Sequence, residues 1–256
     1  DFNLYKDIPL SNLLIRPNVN PELKKKQKAA PYYFANVSGV DREFGRILST
    51  LKTMGLDKNS IVVFSSDHGE TLASHVEDAK NSPYTEAMNV PFIIRYPEKL
   101  KPHVSNLLLS TPDIMPTLLT LAGLNDRIPT GVEGTDLSAE FINLKPTKNA
   151  PKAVLYIRDA DGKKNAEKKT ISYFPVARGI KTDRYTLALT IDKKTSQLTE
   201  VLMFDDLKDP YQMNNLSVEK NKELFKSLCK QMPDLLKKAN DPWYRERILS
   251  DIIPYK

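Results

Sequence analysis

The stretch Ile61-Val62-Val63-Phe64-Ser65-Ser66-Asp67-His68-Gly69-Glu70-Thr71-Leu72-Ala73-Ser74-His75-Val76-Glu77-Asp78-Ala79-Lys80 decides the fold. It opens within the run Ser60 to Ser66, continuous in β-branched and aromatic residues and of strand length, the pattern of a strand buried on both faces. From Ser65 to Lys80, sixteen residues hold two of the three histidines, four carboxylates and a lysine. In open α/β sheets, ligands bind beyond the carboxyl ends of the strands, which is where Asp67 and His68 fall. Gly69 is expected to let the backbone turn sharply and present those two side chains. An Asp followed by a His supplies half of a divalent-metal shell; an Asp-His-Gly after a strand can equally be a turn with its Asp bonded to its own backbone.

Working outward, Tyr33, Val37, Val40, Phe44, Ile47, Leu48 and Leu51 recur at spacings of three and four after Pro31, predicting a long amphipathic helix. A second strand-like run, Pro91 to Tyr96, follows a short helical stretch at Tyr84–Met88, and a third apolar run, Leu107 to Leu109, precedes a helix from Pro112 to Ala122 that stops at Gly123. Helix and strand alternate, so this part is read as a mostly parallel α/β layer. Residues 144–153, rich in Pro, Lys and Asn, read as a linker, dividing the chain at about residue 150. Beyond it, Ala153–Ile157, Ile171–Ile180, Tyr185–Ile191 and Glu200–Phe204 suggest a small antiparallel sheet. One final helix should carry Leu224, Phe225, Leu228, Met232, Leu235 and Leu236 on one stripe.

The chain has 256 residues, 40% of them hydrophobic, enough for a sizeable core. The formal charge of +6 is compatible with an anionic substrate and with an ordinary solvated surface. The basic run Lys24-Lys25-Lys26-Gln27-Lys28 has no aromatic interleaving and reads as an exposed loop, so no nucleic-acid partner is expected. The single cysteine, Cys229, can form neither an internal disulfide nor a Cys-based metal site, and is expected to be a packed thiol. No apolar segment approaches the ~20 residues that span a bilayer. The chain begins at Asp1 without methionine or signal-like segment, and is read as a fragment or processed product.

Together these segments form a wider pattern. Ser66-Asp67-His68-Gly69-Glu70, Leu72-Ala73-Ser74-His75, Lys80, Tyr84-Thr85-Glu86 and Val90-Pro91-Phe92-Ile93-Ile94-Arg95-Tyr96-Pro97 closely resemble a signature region of the type I sulfatases of the alkaline-phosphatase-like superfamily. Further resemblance lies in Val40-Asp41-Arg42-Glu43-Phe44, in Ser110-Thr111-Pro112-Asp113, in Arg178-Gly179-Ile180-Lys181-Thr182-Asp183-Arg184-Tyr185 and in Met203-Phe204-Asp205-Asp206-Leu207-Lys208-Asp209-Pro210. It covers about Pro31 to Leu216.

The resemblance implies the C-terminal part of an α/β/α sandwich, followed by a smaller antiparallel sheet with a helix. It also implies a metal-dependent sulfuric ester hydrolase acting on sulfated sugars. Asp67 and His68 match the family's metal-ligand pair. Lys80 matches the lysine that contacts the sulfate, with His75 a second candidate on the substrate side. The metal would be Ca²⁺, with Mn²⁺ or another divalent ion admitted by the imidazole.

The family's nucleophile, a formylglycine made from Cys or Ser, lies upstream in a motif this chain lacks, as do further metal and sulfate ligands. The chain is therefore expected to need the missing N-terminal half and to be inactive alone. Ala73 stands where Gly is usual and Asn89 where Arg is usual. Many bacterial members acting on glycans are periplasmic or secreted, so that location is expected. The alternatives are a phosphoryl or phosphonate hydrolase or phosphoethanolamine-type transferase of the same superfamily, and a catalytically dead glycan-binding relative.

Overall fold

The computed structural model describes residues 1–75, 80–159, 163–164, 170–172 and 175–255. Glu77, Asp78 and most of the Lys-rich stretch from Asp159 to Lys169 lie outside them. The chain divides into two compact units, Asp1–Lys101 and Pro102–Lys256.

In the first unit, one-turn helices α1 (Leu10–Leu13) and α2 (Lys24–Gln27) lead into α3 (Ala30–Thr53). The basic run read as a loop thus carries a helical turn. Helix α3 has Pro31 in its first turn, where a missing N–H costs nothing. The expected stripe forms, but Val37, Val40 and Ile47 remain about half exposed. Val40, Phe44 and Ile47 line an open groove of about 890 Å³ with Phe2, Tyr32 and Phe64. Within it the Phe44 and Phe64 rings pack 5.1 Å apart.

Strand β1 (Val62–Ser65) pairs with β2 (Phe92–Arg95). This pair corrects the parallel reading: the strands are antiparallel, with Val62 opposite Arg95 and Ser65 opposite Phe92. A parallel return needs a crossover long enough to run back along the strand. The one helix described between them, α4 (Thr85–Met88), has four residues, or roughly 6 Å of rise, too short to carry the chain back along a strand. Nor are the strands buried on both faces within this chain: Val62 to Phe64 are partly exposed and Ile93 is largely so.

In the second unit, Leu107 to Leu109 join no strand. Helix α5 (Thr111–Leu121) starts at a capping box of Ser110 and Asp113. Pro116 inside it has no N–H to offer the Pro112 carbonyl. That oxygen abuts Gly134, where a methyl group would come within 1.9 Å. Asp113 also accepts from the Thr135 N–H at 2.6 Å, fixing the approach to α6 (Ser138–Asn143).

A four-stranded antiparallel sheet then follows. It begins with β3 (Ala153–Arg158); a two-stranded ribbon of β4 (Lys163–Lys164) and β5 (Thr170–Ser172) intervenes; β6 (Val176–Thr182), β7 (Tyr185–Ile191) and β8 (Leu198–Asp205) complete it in the order β3-β6-β7-β8. Alternation along β7 sends Leu187, Leu189 and Ile191 to one face, where they meet α7 (Lys222–Cys229), α8 (Met232–Lys238) and α9 (Pro242–Arg245). Ile180, Leu187, Leu189, Met203, Met232, Leu236 and Ile253 are all fully buried there, each contributing about 1.5–3 kcal/mol by the removal of apolar surface from water.

The single final helix expected from the Leu224–Leu236 stripe is two. Pro233 opens the first turn of α8 and cannot continue α7. The outer edge of β8 is closed by Asn215, which accepts from the Met203 N–H at 2.8 Å and donates to the Val201 carbonyl at 2.9 Å. Such side-chain pairing blunts an edge otherwise open to another chain.

Candidate active site

Strand β1 delivers Ser66, Asp67 and His68 at its carboxyl end. Asp67 is 83% exposed and His68 36%. The Asp67 carboxylate accepts from the His68 N–H at 3.0 Å, and its second oxygen lies 3.3 Å from His68 Nε2. Partial removal from water pushes the Asp67 carboxyl up. Positive charge on the His68 ring whenever it is protonated, the backbone N–H bonds and the Lys80 ammonium outweigh this and hold it below the usual carboxylate range.

The imidazole of His68 is oriented by its other nitrogen. Nδ1 lies 2.8 Å from the Gly69 carbonyl, which can only accept, so Nδ1 carries the proton and Nε2 offers a lone pair. Lys80 Nζ donates to that lone pair at 2.8 Å. Asp67, His68 and Lys80 therefore converge beyond β1.

Gly69 has a role that its expected flexibility did not describe. It does not adopt a positive φ. Instead its N–H donates to the Ala87 carbonyl at 2.8 Å, and a methyl there would lie 1.9 Å from the Glu86 carbonyl oxygen. The sharp backbone comes later in the loop, at Leu72, Ala73 and His75, with φ of 45°, 71° and 58°.

His75 is turned to a different set of groups. Its side chain is 10% exposed and stacks on Tyr84 with ring centroids 3.9 Å apart. Its Nε2 lies 2.9 Å from Asn18 Nδ2, and the same amide nitrogen donates to Glu86 Oε1 at 2.5 Å. Arg16 stands 3.7 Å from that carboxylate oxygen. No role for Arg16, Asn18 or Glu86 was read from the sequence. Arg16 and Asn18 sit in an aperiodic segment, and Glu86 stands only within the signature match Tyr84-Thr85-Glu86, with no role attached.

Asp67 and His68 form a donor pair of the types that hold a divalent ion, one carboxylate oxygen and one imidazole nitrogen close enough to share a cation. Among the described residues, no group of three or more His, Cys, Asp or Glu side chains is placed to complete a shell.

Comparison with known proteins identifies the family. Residues 15–124 match the sulfatase family model, and residues 78–239 match the model of the N-sulphoglucosamine sulphohydrolase C-terminal region. The chain belongs to the sulfatase family. An endo-4-O-sulfatase of Bacteroides thetaiotaomicron is 56% identical over all of this chain and 50% of its own length.

The same α/β arrangement recurs in a solved sulfatase structure concerned with glycosaminoglycan metabolism by B. thetaiotaomicron, at 55% identity and a TM-score of 0.92, over 99% of this chain and 52% of that one. A structure bound to its substrate D-glucosamine-2-N,6-O-disulfate is 25% identical with a TM-score of 0.68, over 95% and 50%. The fold is thus that of the sulfatases of the alkaline-phosphatase-like class, and this sulfatase chain spans about half the length of the relatives it matches.

Proposed function

We propose that this chain is one part of a metal-dependent sulfatase that hydrolyses sulfate esters of sulfated sugars. The convergence of Asp67, His68 and Lys80 at the end of β1 carries this reading. Asp67 and His68 would hold a divalent cation, Ca²⁺ or Mn²⁺, which when bound would neutralise charge on the sulfate oxygens. Lys80 supplies a compact, mobile point charge suited to a sulfate oxygen. Its hydrogen bond to His68 Nε2 keeps it beside the metal-ligand pair until an ion takes that lone pair.

The nucleophile, a formylglycine in this reading, belongs to a part of the protein outside this chain, the N-terminal half that its relatives possess. The relatives' named activities favour sulfate over phosphoryl or phosphonate chemistry, and 4-O-sulfated glycosaminoglycan fragments are the first substrates to try. A periplasmic or secreted location suits such polymeric substrates. Among the described residues no helix is long and apolar enough to cross a membrane.

The test is sulfate release from a 4-O-sulfated oligosaccharide. A protein joining this chain to the upstream half should turn over in the presence of Ca²⁺ or Mn²⁺, and this chain alone should not. Lys80→Ala or Asp67→Ala should lower kcat/KM by about 10²–10³-fold, the scale set by removal of one group that stabilises transition-state charge. Variants as active as the parent, or metal-dependent release by this chain by itself, would refute the reading.

A further inference from the structure

Three strands of chain meet around His75. Val19 and Ser74 form an antiparallel bridge. The His75 N–H donates to the Asn18 carbonyl at 3.1 Å, and the Asn20 N–H to the Ala73 carbonyl at 2.8 Å. On the other side stands α4, and Glu86 touches the loop at both of its ends. Its main-chain carbonyl abuts Gly69, while its side chain shares the Asn18 amide with His75.

The Asn18 orientation follows from this sharing. A carboxylate only accepts, so the atom facing Glu86 must be the amide nitrogen, which then donates its second hydrogen to His75 Nε2. Between these ends Leu72, Ala73 and His75 hold left-handed backbone, a conformation that persists in side-chain-bearing residues only where the surroundings enforce it.

We infer that His75 is a positioning residue. With Asn18 and Glu86 it forms a clasp that holds the loop 69–75 in its left-handed path and so fixes His68 for its contact with Lys80. The link to sulfate chemistry rests on the function proposed above; the clasp itself does not. His75 is 10% exposed and Glu86 8%, whereas Asp67 and His68 face solvent, which suits a division between groups that hold the loop and groups that meet the ligand.

Two readouts on the chain as it stands test the clasp. Amide hydrogen exchange should quicken about tenfold at Gly69, Ser74 and Asn20 in His75→Ala, the change expected for the loss of one net hydrogen bond, with the amides of α3 unchanged. His75→Gln, whose amide oxygen can still accept from Asn18, should stay within about twofold of the parent. Ring ¹⁵N resonances of His68 should report a single Nδ1-protonated tautomer in the parent and in His75→Gln, and averaged tautomers in His75→Ala.

Unchanged exchange in His75→Ala, an equal rise throughout α3, a Gln variant as impaired as Ala, or an undisturbed His68 signature would each overturn the inference. If His75→Ala does not fold, Asn18→Ala reads the same amides. Asp67→Ala should leave exchange at Ser74 and Asn20 unaltered, so failure of the sulfatase reading, seen in sulfate release, is separable from failure of the clasp.

Discussion

Arg178 is a large polar side chain sealed inside the second unit, and removing its charge should be the most damaging single change there. It is 2% exposed. Its Nε donates to Asp241 at 2.7 Å and Nη2 to Asp159 at 3.1 Å, Nη1 donates to the Arg158 and Ala177 carbonyls, and the guanidinium lies 5.5 Å from the Trp243 ring. In Arg178→Met the stem is kept and the charge lost. Asp159 is 39% exposed and can rehydrate, so its share is about 0–1 kcal/mol.

Asp241 is 4% exposed and cannot, although it keeps the Trp243 N–H at 2.8 Å. A buried charge stripped of its partner costs about 3–5 kcal/mol, and with the contact to Trp243 the total should be about 4 kcal/mol, close to a thousandfold in the folding equilibrium. For a unit of this size that lowers Tm by roughly 8–16 °C. Trp243 is the chain's single tryptophan and is buried, so urea denaturation followed by its fluorescence reads this unit directly. Arg178→Met with Asp241→Asn should recover about half of the loss by discharging the orphaned carboxylate. A loss below about 1 kcal/mol, or a double variant no better than the single, would refute the argument.

Gly69→Ala places a methyl against a backbone carbonyl that no rotamer change can relieve; it should cost about 1–3 kcal/mol in urea denaturation followed by far-ultraviolet circular dichroism, and parent-like stability would show that the close approach is not required. Burial pushes the Cys229 thiol from an ordinary 9.0 up to about 12. The folded state favours the protonated form, so stability should fall as pH rises above about 9. Cys229→Ala should lack this loss, and the parent thiol should react with a disulfide reagent only on unfolding. The Arg184 fork beside Asp205, at 3.0 and 2.7 Å, holds that carboxyl below its ordinary 3.8, with the Lys208 N–H adding to it. Its stabilisation is complete above that ordinary value and is lost as pH falls through the lower folded one. Asp205→Asn should therefore flatten the acid limb of a stability profile, and an unchanged limb would refute the assignment.

Much of the fold was legible because it rests on local pattern. The β-branched run became β1, the period-three-and-four stripe became α3, and alternation gave β3, β7 and β8 close to their observed bounds, whereas the single run expected over Ile171–Ile180 holds parts of two strands, β5 and β6. Most of the errors depended on geometry between segments. Whether β2 runs with or against β1 is set by what joins them, and a helix as short as α4 leaves little periodic signal. The break between α7 and α8 was available in Pro233, but the continuous stripe of leucines masked it. The Arg178–Asp241 pair joins residues 63 positions apart and has no local signature, so a motif arginine gave no hint of burial.

The two histidines of the signature loop make the same point at the site. Both follow small or polar residues, and their spacing suits either of them to a ligand. What separates them is the company each keeps. His68 has its Nδ1 committed to the Gly69 carbonyl next door, so adjacent backbone sets its direction and its Nε2 faces outward with Asp67 and Lys80. His75 is oriented by Asn18, 57 positions away, and by Glu86 and Tyr84 beyond it, so its direction was not legible in the loop itself. A group that must meet an ion or a sulfate needs a lone pair or charge left open to solvent. A group that must hold a strained loop needs its polar atoms consumed and its ring buried, and in this loop the two requirements fall on two copies of the same residue type.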